Sequence, residues 1–222
     1  MRRRRKKRFY RRMQLYMRVG VLLLFLLMIV SAGMKLFGAE PFTQQYVERT
    51  GEEIDALRPE MEVALLTENP YSRPGDSVSK IRGIVIHYTA NPGSTAMQNR
   101  NYFEGLKDSH ETKASSHFIV GLEGEIVQCI PTWEVAYASN ERNSDTISIE
   151  TCHRSADGSY TEETYQSMVE LTAWLCKKFD LTEKDVIRHY DVTGKICPKY
   201  FVEHEDVWDD FKQDVGKRLE SM

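Results

Sequence analysis

The sequence predicts an α/β domain, a mixed and mainly parallel central sheet flanked by helices, preceded by a single N-terminal transmembrane helix. Three observations predict it. Short apolar runs of strand length alternate with segments whose apolar residues recur at helical spacing, the pattern of strand–helix units. One run, Ile84-Val85-Ile86, is apolar at consecutive positions, as a strand buried on both faces must be. Ahead of these, Val19 to Met34 is a stretch of sixteen uncharged, Leu-rich residues bounded by Arg18 and Lys35.

Charge divides the chain in the same way. Residues 1–18 hold ten Lys or Arg and no acid, whereas from Glu40 onward 19 basic residues face all 33 acids, a net charge of −14. An acidic body does not suit a nucleic-acid binder, which must neutralise phosphates. The positive-inside rule makes 1–18 a cytoplasmic head and places everything after Lys35 outside. Sixteen residues fall short of the roughly 20 that span a bilayer, but Lys35 can snorkel and extend the span to Ala39. Residues 19–39 are therefore expected to be a signal anchor. The alternative is a signal peptide cleaved after the small-residue pattern Val30-Ser31-Ala32, which would leave a secreted protein. Residues 40–78 read as a stalk or linker ending in Asn69, Pro70, Pro74 and Gly75. The remaining residues, 79–222, suffice for a self-supporting core.

Within 79–222 the elements follow in order. Ile81–Tyr88 is expected as the first buried strand. Ser94 is expected to cap a helix carrying Met97, Tyr102 and Phe103. His117–Gly121 and Glu125–Ile130, separated by Glu123-Gly124, predict a hairpin. Thr146–Cys152 alternates, with Ile147 and Ile149 on one face and Ser148, Glu150 and Cys152 on the other. Ser159 or Thr161 caps a helix with the stripe Tyr165, Met168, Val169, Thr172, Leu175, Cys176 and Phe179. Val186–His189 is a short strand, and Val207, Trp208, Phe211, Val215 and Leu219 mark a final amphipathic helix.

Chemistry gathers at the strand ends. His87 closes the first strand, His189 a later one, and Cys197 follows eight residues on. Two imidazoles and a thiolate make a three-ligand zinc site with the fourth position left for water, as catalytic zinc requires. A structural site would need a fourth protein ligand. No HExxH occurs, which weighs against a metallopeptidase of that kind. Setting Cys197 aside leaves Cys129, Cys152 and Cys176, so at most one internal disulfide can form.

Four segments, Ile84-Val85-Ile86-His87-Tyr88-Thr89-Ala90, Ser116-His117-Phe118-Ile119-Val120, Ile147-Ser148-Ile149-Glu150 and His189-Tyr190-Asp191 with Lys195 and Cys197-Pro198, resemble the zinc-dependent N-acetylmuramoyl-L-alanine amidases. That superfamily includes the phage lysozyme-type amidases and the peptidoglycan recognition proteins. The resemblance runs from about Ile81 to the C-terminus and does not cover the head, the apolar segment or the stalk. It implies one Zn2+ per domain held by His87, His189 and Cys197, and peptidoglycan as substrate. The bond cut would be the amide between N-acetylmuramic acid and L-alanine. Glu150 matches a catalytic glutamate and would move a proton; from alternation alone it could equally face solvent. Lys195 matches a lysine that stabilises the tetrahedral oxyanion. Tyr88, Asn91, Trp133 and Tyr137 would line the substrate groove, although aromatic residues are as often core. His117 and His153 are nearby alternatives for zinc or substrate, His117 being read as a residue that supports the ligands or meets substrate and His153 as a loop residue. Ser116 stands where the phage-type branch has a tyrosine, which favours Glu150 as the base. Ala138 stands where many relatives place a histidine. The competing reading is a non-catalytic, membrane-anchored peptidoglycan-binding or sensing protein on the same fold. Binding-only relatives typically lack the ligand cysteine, which this chain retains.

Overall fold

The computed structural model describes residues 51–222. The expected basic head, transmembrane anchor and first part of the stalk fall on residues 1–50 and lie outside the described residues. Among the described residues no helix is long and apolar enough to cross a membrane.

The core element is a six-stranded sheet in the order β1-β4-β3-β5-β2-β6. Its strands are β1 (Glu62–Val63), β2 (Gly83–Ile86), β3 (Phe118–Val120), β4 (Ile126–Gln128), β5 (Thr146–Thr151) and β6 (Val186–Arg188). β3, β5, β2 and β6 pair in parallel, β4 runs antiparallel to β3, and β1 pairs parallel to β4. The expected mixed, mainly parallel α/β fold is therefore observed, and so is the β3–β4 hairpin. Gly124 in its turn has φ +81, and a Cβ there would stand 2.9 Å from the Glu163 carbonyl oxygen, so only glycine fits.

The helices are α1 (Gly51–Asp55), α2 (Ala96–Ser109), α3 (Glu162–Phe179), α4 (His189–Thr193), α5 (Lys199–Glu203) and α6 (Glu205–Ser221). Strand alternation sorts the sheet into two faces. Ile84, Ile86, Phe118, Val120, Ile147 and Ile149 join the α3 and α6 cluster, with Met168, Leu175, Phe211 and Val215. Ile119 and Val127, on the opposite face, join α2 through Phe103 and Leu106. α2 starts one residue later than expected. Its cap is Thr95, whose side chain accepts from the Gln98 N–H in a reciprocal capping box. Ser94 instead donates to the Asn91 carbonyl and accepts from Asn99. Of the two candidate caps of α3, Thr161 accepts the Thr164 N–H. α3 is buried well beyond the expected stripe, at Leu171, Ala173 and Trp174 too. α1 is one reason, since the Trp174 indole donates to the Ile54 carbonyl at 3.0 Å.

The expected linker does not behave as one where it is described. The Ala64 and Leu66 amides donate to Gln128 and Cys129, and Leu66 is 1% exposed. Arg73 grips Glu134 with two bonds at 2.7 and 2.8 Å and donates to the Leu66 carbonyl. The Arg100 guanidinium closes over the Ala64 and Leu65 carbonyls, occupying edge groups that would otherwise be open to another strand. The packed body thus begins upstream of 79, because an edge strand and a buried leucine lie within the stretch that its prolines and glycine marked as irregular.

Candidate metal centre and active site

Strand register builds the site. β2 lies between β5 and β6, with Ile86 paired to Ile149 on one side and Arg188 on the other. One residue beyond that row come Glu150, within β5, and His87 and His189, the residues that directly follow β2 and β6. The His87 amide continues the ladder, donating to the Ile149 carbonyl at 2.8 Å. Alternation along β2 and β5 sends His87 and Glu150 to the face opposite α3 and α6, and the ring contact of His189 with His87 brings the third side chain to them. This is the carboxyl edge, where open α/β sheets place their ligands. His189 was expected to end a strand; it opens α4 instead.

Cys197 returns to this row through a closed loop. The Tyr190 amide donates to the Cys197 carbonyl at 2.8 Å, and Cys197 Sγ lies 3.8 Å from His87 Nδ1. The rings of His87 and His189 stand 4.7 Å apart, centroid to centroid. One ligand atom from each of His87, His189 and Cys197 falls within 4.8 Å of the others, and all three residues are buried. Nε2 of His87 meets Ser139 Oγ at 3.1 Å, and Nε2 of His189 meets Asn140 Oδ1 at 3.0 Å. That leaves Nδ1 of each ring free to act as a ligand.

Electrostatics suit a cation. Burial first, then His189, Lys195 and His117, hold the His87 pKa well below 6.5. Burial and Lys195 also lower that of His189, so both rings are neutral donors near pH 7. Burial pushes the Cys197 thiol up to about 12, with Glu150 adding to the shift, so its thiolate needs a positive partner. Glu150 is flanked in its row by Ile119, its β3 partner. Burial raises its pKa to about 7 against the pull of Lys195. Its Oε2 is buried and has no hydrogen-bond partner. A soft-and-borderline donor set, outer nitrogens already engaged and an unpartnered carboxylate oxygen nearby fit a zinc ion.

The other expected site residues divide. Tyr88 follows His87, and burial raises its pKa ahead of the effects of Cys197, Glu203 and Glu150, which places its phenol beside the cluster. Asn91 is exposed in the loop after β2, its carbonyl taken by Ser94. Tyr137 is half-buried two residues before Ser139, with the Lys113 ammonium 5.3 Å from its ring centroid. Trp133 lies apart from the metal cluster. It is 67% exposed and lines a cavity of about 510 Å³ with Val78, Ile81 and Phe179, at the amino end of β2, away from His87. His117 is held in the interior, which fits the supporting role expected of it better than the substrate one. It is buried, Nε2 within 2.9 Å of the Glu134 carbonyl oxygen and Nδ1 accepting from the Ser148 amide at 3.0 Å. His153, outside the cluster, is buried with Nδ1 at 2.8 Å from the Ser155 carbonyl oxygen. All four cysteines are buried free thiols.

Ser139 and Asn140 were not singled out by the sequence. The Ser/Asn-rich stretch 139–145, just before β5, marks a turn, but nothing local says that it reaches two histidines from other strands.

Fold and donor set together define the class: an α/β domain with a candidate three-ligand metal centre at the carboxyl edge of a mixed sheet. The profile of the N-acetylmuramoyl-L-alanine amidase family matches residues 77–200, and the chain belongs to that family. It is 38% identical over 164 residues to N-acetylmuramoyl-L-alanine amidase CwlL of Bacillus licheniformis, covering 68% of this chain and 45% of the relative. To N-acetylmuramoyl-L-alanine amidase BlyA of Bacillus subtilis (strain 168) it is 33% identical over 172 residues, covering 68% and 45%. The chain thus spans less than half the length of these curated relatives. Among solved structures, the catalytic domain of XlyA superposes with a TM-score of 0.60 at 26% identity, covering 71% of this chain and all of that one. PlyL superposes with a TM-score of 0.63 at 23% identity, covering 72% and 99%, a likeness of fold.

Proposed function

We propose that this chain is a zinc-dependent N-acetylmuramoyl-L-alanine amidase that hydrolyses the amide between N-acetylmuramic acid and L-alanine of peptidoglycan. The observation that carries the reading is the convergence of His87, His189 and Cys197 beside the unpartnered Oε2 of Glu150, in a chain of this family.

His87 and His189 through Nδ1, and Cys197 through Sγ, would hold the ion. Zinc there would polarise the scissile carbonyl and make a water nucleophilic near neutral pH. Glu150, with a pKa raised to about 7, takes a proton from the attacking water and returns it to the leaving L-alanine amine. Its lack of a competing hydrogen bond leaves Oε2 free for that proton. Lys195 brings an ammonium to the charge that develops on the carbonyl oxygen. Its electrostatic influence on His87, His189, Glu150 and Cys197 supports that placement.

The reading includes a membrane anchor over residues 19–39, the head of 1–18 cytoplasmic and the remainder outside the cell membrane, supported by the ten basic residues before an apolar run. Two experiments test it. Purified protein loaded with zinc should free L-alanine amino groups from peptidoglycan without generating reducing sugar ends. Binding without release of amines would replace catalysis with recognition. Protease added to wall-less cells should degrade the domain and spare a tag at residue 1, whereas a soluble product starting near Gly33 would identify a cleaved signal.

A further inference from the structure

The stretch from Ala138 into the 3-10 turn Asn140–Ser144 touches two candidate ligands with two consecutive residues. Ser139, 1% exposed, contacts Nε2 of His87, and Asn140 contacts Nε2 of His189. The turn is itself held. Asn143 Oδ1 accepts the Ala138 and Ser139 amides at 3.0 and 2.6 Å, and the Thr146 hydroxyl donates to the Arg142 carbonyl at 2.6 Å. Asn140 has φ +53, a left-handed conformation that asparagine tolerates better than most residues and that aims its carboxamide at His189. A carboxamide oxygen only accepts. Nε2 of His189 must therefore carry its hydrogen, which leaves the Nδ1 lone pair for a metal. The Ser139 hydroxyl can accept from His87 in the same sense.

We propose that Ser139 and Asn140 are the positioning residues of the metal centre, one turn fixing tautomer and ring orientation of both histidine ligands at once. The proposal rests on the zinc reading above. Because His87 follows β2 and His189 opens the helix after β6, a shared outer partner also fixes their mutual orientation, which sets the angle subtended by two ligands at the ion. The outer partners of histidine ligands act in this way, through ring orientation and ligand basicity.

The test compares wild type with Ser139→Ala, Asn140→Gly and Asn140→Asp in the full chain. Glycine keeps the positive φ and removes only the carboxamide, while aspartate keeps an acceptor of the same length. Zinc affinity is read by competition with a chromophoric chelator, coordination by the visible spectrum of the Co2+-substituted protein, and folding by denaturant unfolding of the metal-free form. Ser139→Ala and Asn140→Gly should each weaken zinc by about 10- to 100-fold and shift the Co2+ bands. Asn140→Asp should hold zinc at least as well as wild type. Wild type that binds zinc alongside variants that match it in affinity and spectrum would overturn the positioning role and leave the zinc reading intact. The positioning role fails equally if Asn140→Asp loses zinc as Asn140→Gly does. Wild type that takes up no zinc would overturn both.

Discussion

Acid should unfold this domain partly through His117, a residue that the sequence offered as a support for the ligands or a contact for substrate. Its ring is buried with both nitrogens committed in the neutral form, Nε2–H to the Glu134 carbonyl and Nδ1 to the Ser148 amide. Protonation would place a second N–H at Nδ1 against that backbone donor. Burial accordingly lowers its pKa from 6.5 to about 4. The unfolded chain binds the proton more readily, so the contribution is fully present above pH 6.5 and is lost as pH falls toward 4. Linkage over that gap gives about 2.5 kcal/mol lost between pH 8 and pH 4.5. Metal-free wild type and His117→Gln should be unfolded with urea at both pH values, so that every other titrating group cancels in the comparison. Wild type should lose about 2.5 kcal/mol more than the variant over the interval, and at pH 8 the variant should keep most of the proposed amidase activity. Equal acid sensitivity of the two proteins, or a ring titration near 6.5 by NMR, would refute the assignment of His117 to the interior.

Other outcomes follow from the same geometry. Glu150→Gln should retain zinc and lose turnover on the order of 10²- to 10⁴-fold in an amine-release assay, the usual worth of a positioned acid or base. Cys197→Ser should fold but lose zinc by metal analysis, because a neutral hydroxyl replaces the thiolate; stoichiometric zinc in that variant would remove Cys197 from the site. A chain beginning at residue 79 should be less stable than the full chain by roughly 3 kcal/mol or more in denaturant unfolding. It forfeits the burial of Leu66 and leaves Glu134 without Arg73.

Much of this was legible because it is local. Ile84-Val85-Ile86 is β-branched at three consecutive positions, Glu123-Gly124 favours a tight turn, and His87, His189 and Cys197 are residues of conspicuous metal-binding chemistry just after strands or in the loop that follows. What escaped depends on contacts distant in sequence. β1 is two residues long and exists by pairing with β4, more than sixty positions away. Trp133 and His117 were assigned by residue type. Yet the chain around Trp133 pairs with the segment at Val78, whose amide donates to the Trp133 carbonyl, while the hydroxyl and amide of Ser148 capture the His117 ring. Glu150 could not be resolved by alternation because both faces of β5 are covered, and only its place beside Ile119 and His87 supports the role proposed for the carboxylate.

The row that carries His87, Glu150 and His189 bears on how such a domain can change over generations. Its geometry is inherited from backbone pairing, and a strand offers only two settings, this face or the other. Inserting or deleting one residue within β2, β5 or β6 would displace a candidate ligand or the proposed base from the row, so change tolerated in those strands is expected to be exchange of side chains in place. Freedom to alter length lies in the segments that arrive at the row from outside, the stretch 131–144 and the loop 190–197. New substrate preferences would accumulate there as insertions and rewritten turns, leaving the three strands as a fixed reference against which each new loop is tried.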